Sequence, residues 1–402
     1  MALFKKKTGR SSRLADVTMG ADLISEILER TDREIAEMDP MNIMLIGKTG
    51  VGKSTLINNI FREKLAETGI GAPVTEHLVK ITKKGIPLSL YDTKGLELSM
   101  SSQAAVQKEV QETLTKLKEG PDVLEWIHCV WFCISATSNR LEETEKLWIQ
   151  GLASQVPVIV VLTQSIDLKG AKVLAEYVES QCPGISGVIP VLALDYEAGP
   201  YTLRSYGLKE LIRMTYSIVP ENVKRAFINA QRVDIDKKAE LARRWARRFV
   251  IETFAVGFIP IPFADAPIIA TSQVTMIAKI TAIFGLSYDK AMLSSVAGAM
   301  AGVGGAIVTG RTLSTNLMKL VPGAGTLTAG TISGATASAI TSAMATVYIN
   351  VLKEVARREY SGEEVLPQEL RRLVEWEMRK YIKTKKKDAK ITTPPDPTLK
   401  PE

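Results

Sequence analysis

NIMLIGKTGVGKST, residues Asn42–Thr55, joins a short apolar run to a glycine-rich turn and the start of a helix. Ile43–Ile46 has the continuous apolar character of a buried strand in a parallel sheet. Gly47, Lys48, Thr49, Gly50, Val51, Gly52, Lys53, Ser54 and Thr55 follow, then LINNIF at helical spacing. This is G-x-x-x-x-G-K-[ST] with a strand before it and a helix after it. Glycines at those places let backbone N–H groups close around phosphates, and the helix N-terminus adds partial positive charge. Lys53 has the reach for β- and γ-phosphates, and the Ser54 hydroxyl is a ligand for Mg²⁺. The stretch implies nucleotide binding.

Working outward, Glu67–Glu76 is polar and carries Gly71, Pro73 and Thr75. Two strands are expected at Leu78–Thr82 and Pro87–Tyr91, joined by a turn at Lys83–Gly85. The second runs into Asp92-Thr93-Lys94-Gly95, a D-x-x-G at a strand end. Asp92 there suits the Mg²⁺ shell, Gly95 can turn its N–H to a γ-phosphate, and Thr75 offers a second hydroxyl for the metal. Strands are expected at Trp126–Ser135, Val156–Thr163 and Gly187–Leu194. Helices are expected at 103–118, Leu141–Ala153 and Gly207–Ile218. The alternation predicts an α/β fold, a doubly wound sheet with helices on both faces and the ligand at the carboxyl ends of the strands.

A chain of 402 residues has room for two or three domains. The net charge of +7 fits nucleic acid or an anionic membrane, and the placement of the basic residues decides between them. Three cysteines in apolar settings make no disulfide framework and suit a reducing compartment. The two histidines, His77 and His128, lack metal-ligand spacing with the cysteines, so Mg²⁺ is the only metal expected. The basic N-terminus has no apolar core of the length a secretory signal needs.

Residues 1–39 are expected to hold an amphipathic helix, with Leu23, Ile24, Ile27, Leu28, Ile35 and Met38 on a stripe packed on the following domain, 40–220. Composition then changes. Glu221–Arg248 reads as one long charged helix, basic in its last turns. Residues 291–352 carry Arg311 and Lys319 as their only charges and are crowded with Gly, Ala, Ser and Thr. Residues 221–360 are therefore expected to be a helical domain. Residues 361–402 are expected to be a charged helix and a basic, Pro-rich disordered tail.

The motifs resemble the Era-like P-loop GTPases from Asn42 to about Pro220. The likeness rests on GKTGVGKST, Thr75, DTKG, Asp167 at a strand end, the Val191–Ala193 strand end and the GLKEL helix opening. It implies GTP and GDP as ligands, a guanine ring read by the Asp167 carboxylate, and the Ala193 N–H facing the guanine oxygen. The family's guanine motif is [NT]-[KQ]-x-D. Aligning Asp167 puts Gln164 and Ser165 first, whereas aligning Thr163 and Gln164 leaves the aspartate one residue late. Leu96 stands where Ras-like proteins have the glutamine that orients water, which implies slow hydrolysis without a partner or pairing of two GTPase domains. Arg140 is either a solvated loop arginine or a group acting across such a dimer. IPIPFADAP at residues 259–267 and the residues to about 290 resemble the YcjF-like domain that follows bacterial Era-like GTPase domains.

The reading is a Mg²⁺-dependent GTPase switch controlling a helical, membrane-associated domain. The expected partners are guanine nucleotide, a second copy through the GTPase domains, and a membrane surface or inner membrane, and the expected location is the cytoplasmic face of the membrane or the cytoplasm. Two rivals stand beside it. One is a nucleotide-gated assembly or membrane-remodelling protein, dynamin-like or septin-like, in which hydrolysis resets the assembly. The other is a compact helical bundle packed through small residues. Phe249–Pro262, Ala291–Gly310 and Leu320–Leu352 are the segments a bilayer would engage, flanked by basic clusters. Nucleic acid or the ribosome is disfavoured, because the basic residues flank apolar segments and lack interleaved aromatics.

Overall fold

The structure is a computed structural model that describes residues 24–62, 65–75, 77–93, 100–255, 271–286, 296 and 334–392. It divides into two compact units. One is Ile35–Asp234; the other combines the described residues up to Glu34 with those from Ile235 onward.

The first unit is built on strands β1 (Met41–Ile46), β2 (Ile70–Pro73), β3 (Leu78–Lys83), β4 (Ile86–Thr93), β5 (Cys129–Ser135), β6 (Val158–Thr163) and β7 (Gly187–Pro190). Their order is β2-β3-β4-β1-β5-β6-β7. The five from β4 to β7 in that order are parallel, while β2 and β3 pair antiparallel at one edge. β1 and β6 are buried at every residue, which is why their sequences are continuous apolar runs rather than alternating ones. Side chains alternate between faces along β5. Val130, Phe132 and Ile134 join Val106, Trp148 and Val178 in one core cluster. These come from α4 (Met100–Glu119), α5 (Glu143–Ala153) and α6 (Leu168–Gln181). Trp131 faces the other way. Its ring stacks on Phe61 at 5.8 Å, and its Nε1 donates to Thr215 Oγ1 at 3.1 Å. Phe61 ends α2 (Lys53–Ile60) and Thr215 lies on α7 (Leu208–Ile218), while Phe227 on α8 (Glu221–Ala230) meets Phe61 edge-on. Helices therefore cover both faces, as the alternation of elements predicts.

Three local readings change. The polar stretch after α2 contains the short helix α3 (Leu65–Thr68) and then β2, an exposed edge strand. The strand expected from Trp126 begins at Cys129, because Asp122 caps a turn of 3₁₀ helix over Val123–Glu125. The long charged helix is two. It breaks after α8, where the Gln231 side-chain carbonyl accepts from Val233 N and Asp234 N at 2.7 and 2.8 Å. Buried Asp234 is held by Arg213 at 3.0 Å. A chain carrying those contacts cannot continue the helix. The first unit runs to Asp234.

The second unit contains residues 24–34 of a helix over residues 24–36 (α1), α9 (Ile235–Ala255), α10 (Thr271–Phe284), α11 (Gly334–Tyr360) and α12 (Pro367–Thr392). Ala239, Ala242 and Ala246 are buried with Met276, Ile280, Tyr348, Leu352, Leu370 and Val374. Alanines on α9 let neighbouring helices approach closely, and Thr281 and Tyr348 share a hydrogen bond of 2.6 Å inside this core. α1 is tied to α10, with Arg30 donating to Thr275 at 2.6 Å and Glu34 paired with Lys279 at 3.3 Å. These partners are remote in sequence. The closing helix extends through Thr392, so Lys383–Lys390 is helical. Residues 259–270 and 287–290 of the YcjF-like stretch, the whole of Ala291–Gly310 except residue 296, and the first part of Leu320–Leu352 lie outside the described residues. Among the described residues no helix is long and apolar enough to cross a membrane.

Candidate functional site

The phosphate loop leaves β1 at Gly47. Its φ is +154°, and a Cβ there would sit 2.6 Å from the Cys133 carbonyl oxygen on β5, so the loop passes too close to its neighbour for any side chain. Gly52, φ +97°, caps α2 in the left-handed region. The first turn of α2 carries no acidic residue, which leaves its N-terminal charge available to an anion. Lys53 folds back over the loop, its Nζ donating to Gly47 O at 2.5 Å and to Lys48 O at 3.3 Å. Ser54 and Thr55 are exposed beside it, as are Thr49 and Gly50.

The end of β6 meets this loop. Thr163 Oγ1 donates to Val51 O at 2.5 Å and reaches Ile134 O at 3.1 Å. Gln164, in the left-handed region at φ +53°, donates from Nε2 to Gly50 O at 3.0 Å and accepts from Ser135 Oγ at 2.7 Å. Asp167 caps α6, its Oδ1 accepting from Lys169 N at 3.0 Å. Gly170 leaves it room, since a Cβ there would lie 2.5 Å from Asp167 Oδ2.

Tyr206, which sequence reasoning missed, joins the two base-side loops. Its hydroxyl donates to Ser165 O at 2.6 Å, and its backbone exchanges two 3.0 Å hydrogen bonds with Leu192, next to half-buried Ala193. No sequence signal marks it, because a loop tyrosine has no spacing to read. It follows a small ribbon, β8 (Tyr196–Ala198) paired with β9 (Tyr201–Leu203).

On the metal side, Asp92 lies near the end of β4, opposite Leu45 of β1 and Val79 of β3. The Thr75 hydroxyl oxygen is buried and makes no hydrogen bond of normal geometry. It lies beside Glu109, which also accepts from His77 N and contacts Nδ1 at 3.1 and 2.8 Å. Burial alone would raise the Glu109 pKa, but Thr75 and His77 together bring it below the usual range. Ser54, Thr75 and Asp92 are hard oxygen donors, and the Thr75 hydroxyl oxygen is buried beside the Glu109 carboxylate. The set fits Mg²⁺. Gly95 and Leu96 lie outside the described residues. Cys129, Cys133 and Cys182 are free and buried, with burial pushing the Cys133 thiol up to about 12, so none is a nucleophile at neutral pH. Among the described residues no group of three His, Cys, Asp or Glu side chains is placed to hold a metal.

A parallel sheet that feeds a glycine loop into a helix, with the next-but-one strand end bonded to that loop, defines a P-loop GTPase domain. The chain belongs to the AIG1 family, whose model matches residues 41–246. It is 33% identical over 154 residues to immune-associated nucleotide-binding protein 7 of Arabidopsis thaliana, covering 35% of this chain and 47% of that one. Septin-9 of Mus musculus is 25% identical over 190 residues, 41% of this chain and 32% of its own. The tRNA modification GTPase MnmE of Geobacter sulfurreducens is 28% identical over 149 residues, 36% and 30% of the two chains. The chain thus spans less than half the length of these relatives. A solved probable GTP-binding protein engB aligns at 14% identity and TM-score 0.30, over 44% of this chain and 97% of that one.

Proposed function

We propose that this protein is a magnesium-dependent guanine-nucleotide switch that hydrolyses GTP to GDP and phosphate slowly unless assisted. The observation that carries the reading is the bonding of Thr163 and Gln164 to the Val51 and Gly50 carbonyls, which ties the base-side strand to the phosphate loop. Backbone N–H groups of Gly47–Thr55 and the Lys53 ammonium bind the phosphates. Ser54, Thr75 and Asp92 would hold Mg²⁺, which when bound supplies positive charge to the β- and γ-phosphate oxygens. Asp167 accepts guanine N–H groups, the Ala193 N–H faces the guanine oxygen, and Gly95 senses the γ-phosphate. Competition titration of GTP against ATP tests it. Equal affinity for the two would end the guanine assignment.

A second reading, nucleotide-gated assembly, draws support from apolar side chains exposed around the base end: Leu168 (55%), Leu194 (53%) and Tyr201 (76%). Turnover per molecule that rises with protein concentration would favour it, and constant turnover would not. We further propose that the helical unit works at an anionic membrane surface from the cytoplasmic side, and that its middle segment is YcjF-like. Exposed Arg243, Arg244, Arg247 and Arg248 on α9, and Trp376 with Lys380 stacked over it at 4.5 Å on α12, support surface binding. Failure of the full chain to sediment with anionic vesicles would remove that proposal.

A further inference from the structure

Lys48 is the second cation of the phosphate loop, and its side chain is engaged elsewhere. Its Nζ lies 2.6 Å from Glu142 Oε2 and 3.7 Å from Glu145 Oε1. Both carboxylates stand at the start of α5, and each divides its two oxygens between tasks. Glu145 Oε2 accepts from Glu142 N at 3.0 Å, one half of a capping box, while its Oε1 faces Lys48. Glu142 Oε1 lies 3.5 Å from Arg140, and its Oε2 holds Lys48. The Lys48 hydrogen bond brings the Glu142 carboxyl below its usual range against the effect of burial, and burial pushes Glu145 up. The Lys48 carbonyl is meanwhile bonded to Lys53. Residue 48 is thus held by its main chain from one side and by its side chain from the other.

We infer that Glu142 and Glu145 are positioning residues that act through Lys48 to hold the phosphate loop in its binding shape before nucleotide arrives. The inference rests on the nucleotide reading above. A phosphate loop binds through backbone N–H groups, and their affinity depends on how much ordering must be done on binding. The clasp orders the loop in advance, and it draws Lys48 to α5 so that Lys53 is the side-chain cation left over the loop. Lys48 and Glu142 are each about one-third exposed and Glu145 13%, so the pair is better shielded from water than an open surface bridge. Because the loop's backbone meets the α- and β-phosphates, which substrate and product share, the clasp acts on both GDP and GTP. It leaves the chemical step alone.

The test uses the full chain with fluorescent GDP and a non-hydrolysable GTP analogue. Glutamine keeps the capping acceptors and removes the charge, so Glu142→Gln with Glu145→Gln spares α5. This double variant is expected to weaken both ligands by about three- to tenfold. Single-turnover cleavage at saturating GTP should stay unchanged. Lys48→Met should give the same loss, and the triple variant no more than Lys48→Met alone. Lys48→Arg should keep wild-type affinity. Effects that multiply in the triple variant would overturn the clasp, as would a change confined to the GTP analogue. So would a lowered unfolding midpoint with unchanged affinity, which would mark a purely structural role. Wild-type protein that fails to bind GDP at all would instead end the nucleotide reading, and the clasp with it.

Discussion

The phosphate end and the base end of the site are built on different principles. At the phosphate end the binding groups are backbone N–H donors, and the sequence needs little more than glycines and one lysine in register to present them. At the base end the loops are placed by side chains from far apart: Thr163 and Gln164 on the carbonyls of Val51 and Gly50, and Tyr206 on Ser165. Backbone-built sites are contiguous in the chain. Side-chain-built sites are scattered, because each contact is made separately.

Substitutions can break this contrast. The largest effect should come from Lys53→Ala, which removes the ammonium proposed to bind the β- and γ-phosphates. Charged hydrogen bonds contribute about 1.5–3 kcal/mol each, so with two lost, affinity for GTP should fall by a hundredfold or more in an equilibrium titration. Retained tight binding would mean that the backbone suffices alone. Asp167→Asn comes next, weakening GTP by about ten- to a hundredfold for one or two such bonds with little change in binding of inorganic triphosphate. Equal losses for both would show that the two ends are not separable.

Gly47→Ala acts on folding. The added methyl would meet the Cys133 carbonyl at 2.6 Å on a left-handed backbone, and strain of this kind costs about 1–3 kcal/mol. A drop in the denaturant midpoint without a change in slope is expected. Thr163→Val should cost less, about 1 kcal/mol for a lost buried hydrogen bond, and should weaken GDP and GTP equally.

The contrast also explains what could be read from the chain. The parallel strands and the glycine loop between β1 and α2 were legible because continuous apolar runs and a contiguous motif carry them. The split between α8 and α9 was not, since Gln231 and Asp234 look like ordinary helix residues until Arg213 and the backbone of Val233 are brought to them. Tyr206 and the carboxylates on α5 were missed for the same reason. The partner of α1 was not legible because amphipathicity states that a face is buried but not against what.

The smallest expected effect lies away from the nucleotide. Lys80 pairs with Glu125 at 2.7 Å, and Tyr91 donates to the same carboxylate at 2.7 Å. The Lys80 hydrogen bond lowers the Glu125 pKa most, against burial and with help from Tyr91. Its folded value lies below its unfolded one, so the stabilisation is present above the ordinary carboxylate range and is lost as pH falls through the folded value. Glu125→Gln should flatten the acid limb of the stability curve slightly, by unfolding midpoints at pH 3 to 6. An unchanged limb would place the acid sensitivity elsewhere.

The pairing of α1 with α10 has a consequence for synthesis. Arg30 leaves the ribosome long before Thr275, from which it is separated by 245 positions. At about 5–20 residues per second, α1 waits on the order of 10–50 s for its partner. The whole of Ile35–Asp234 emerges in that interval. The nucleotide-binding unit therefore has the time to fold while the amphipathic α1 waits, and the helical unit is completed only after α10 has emerged.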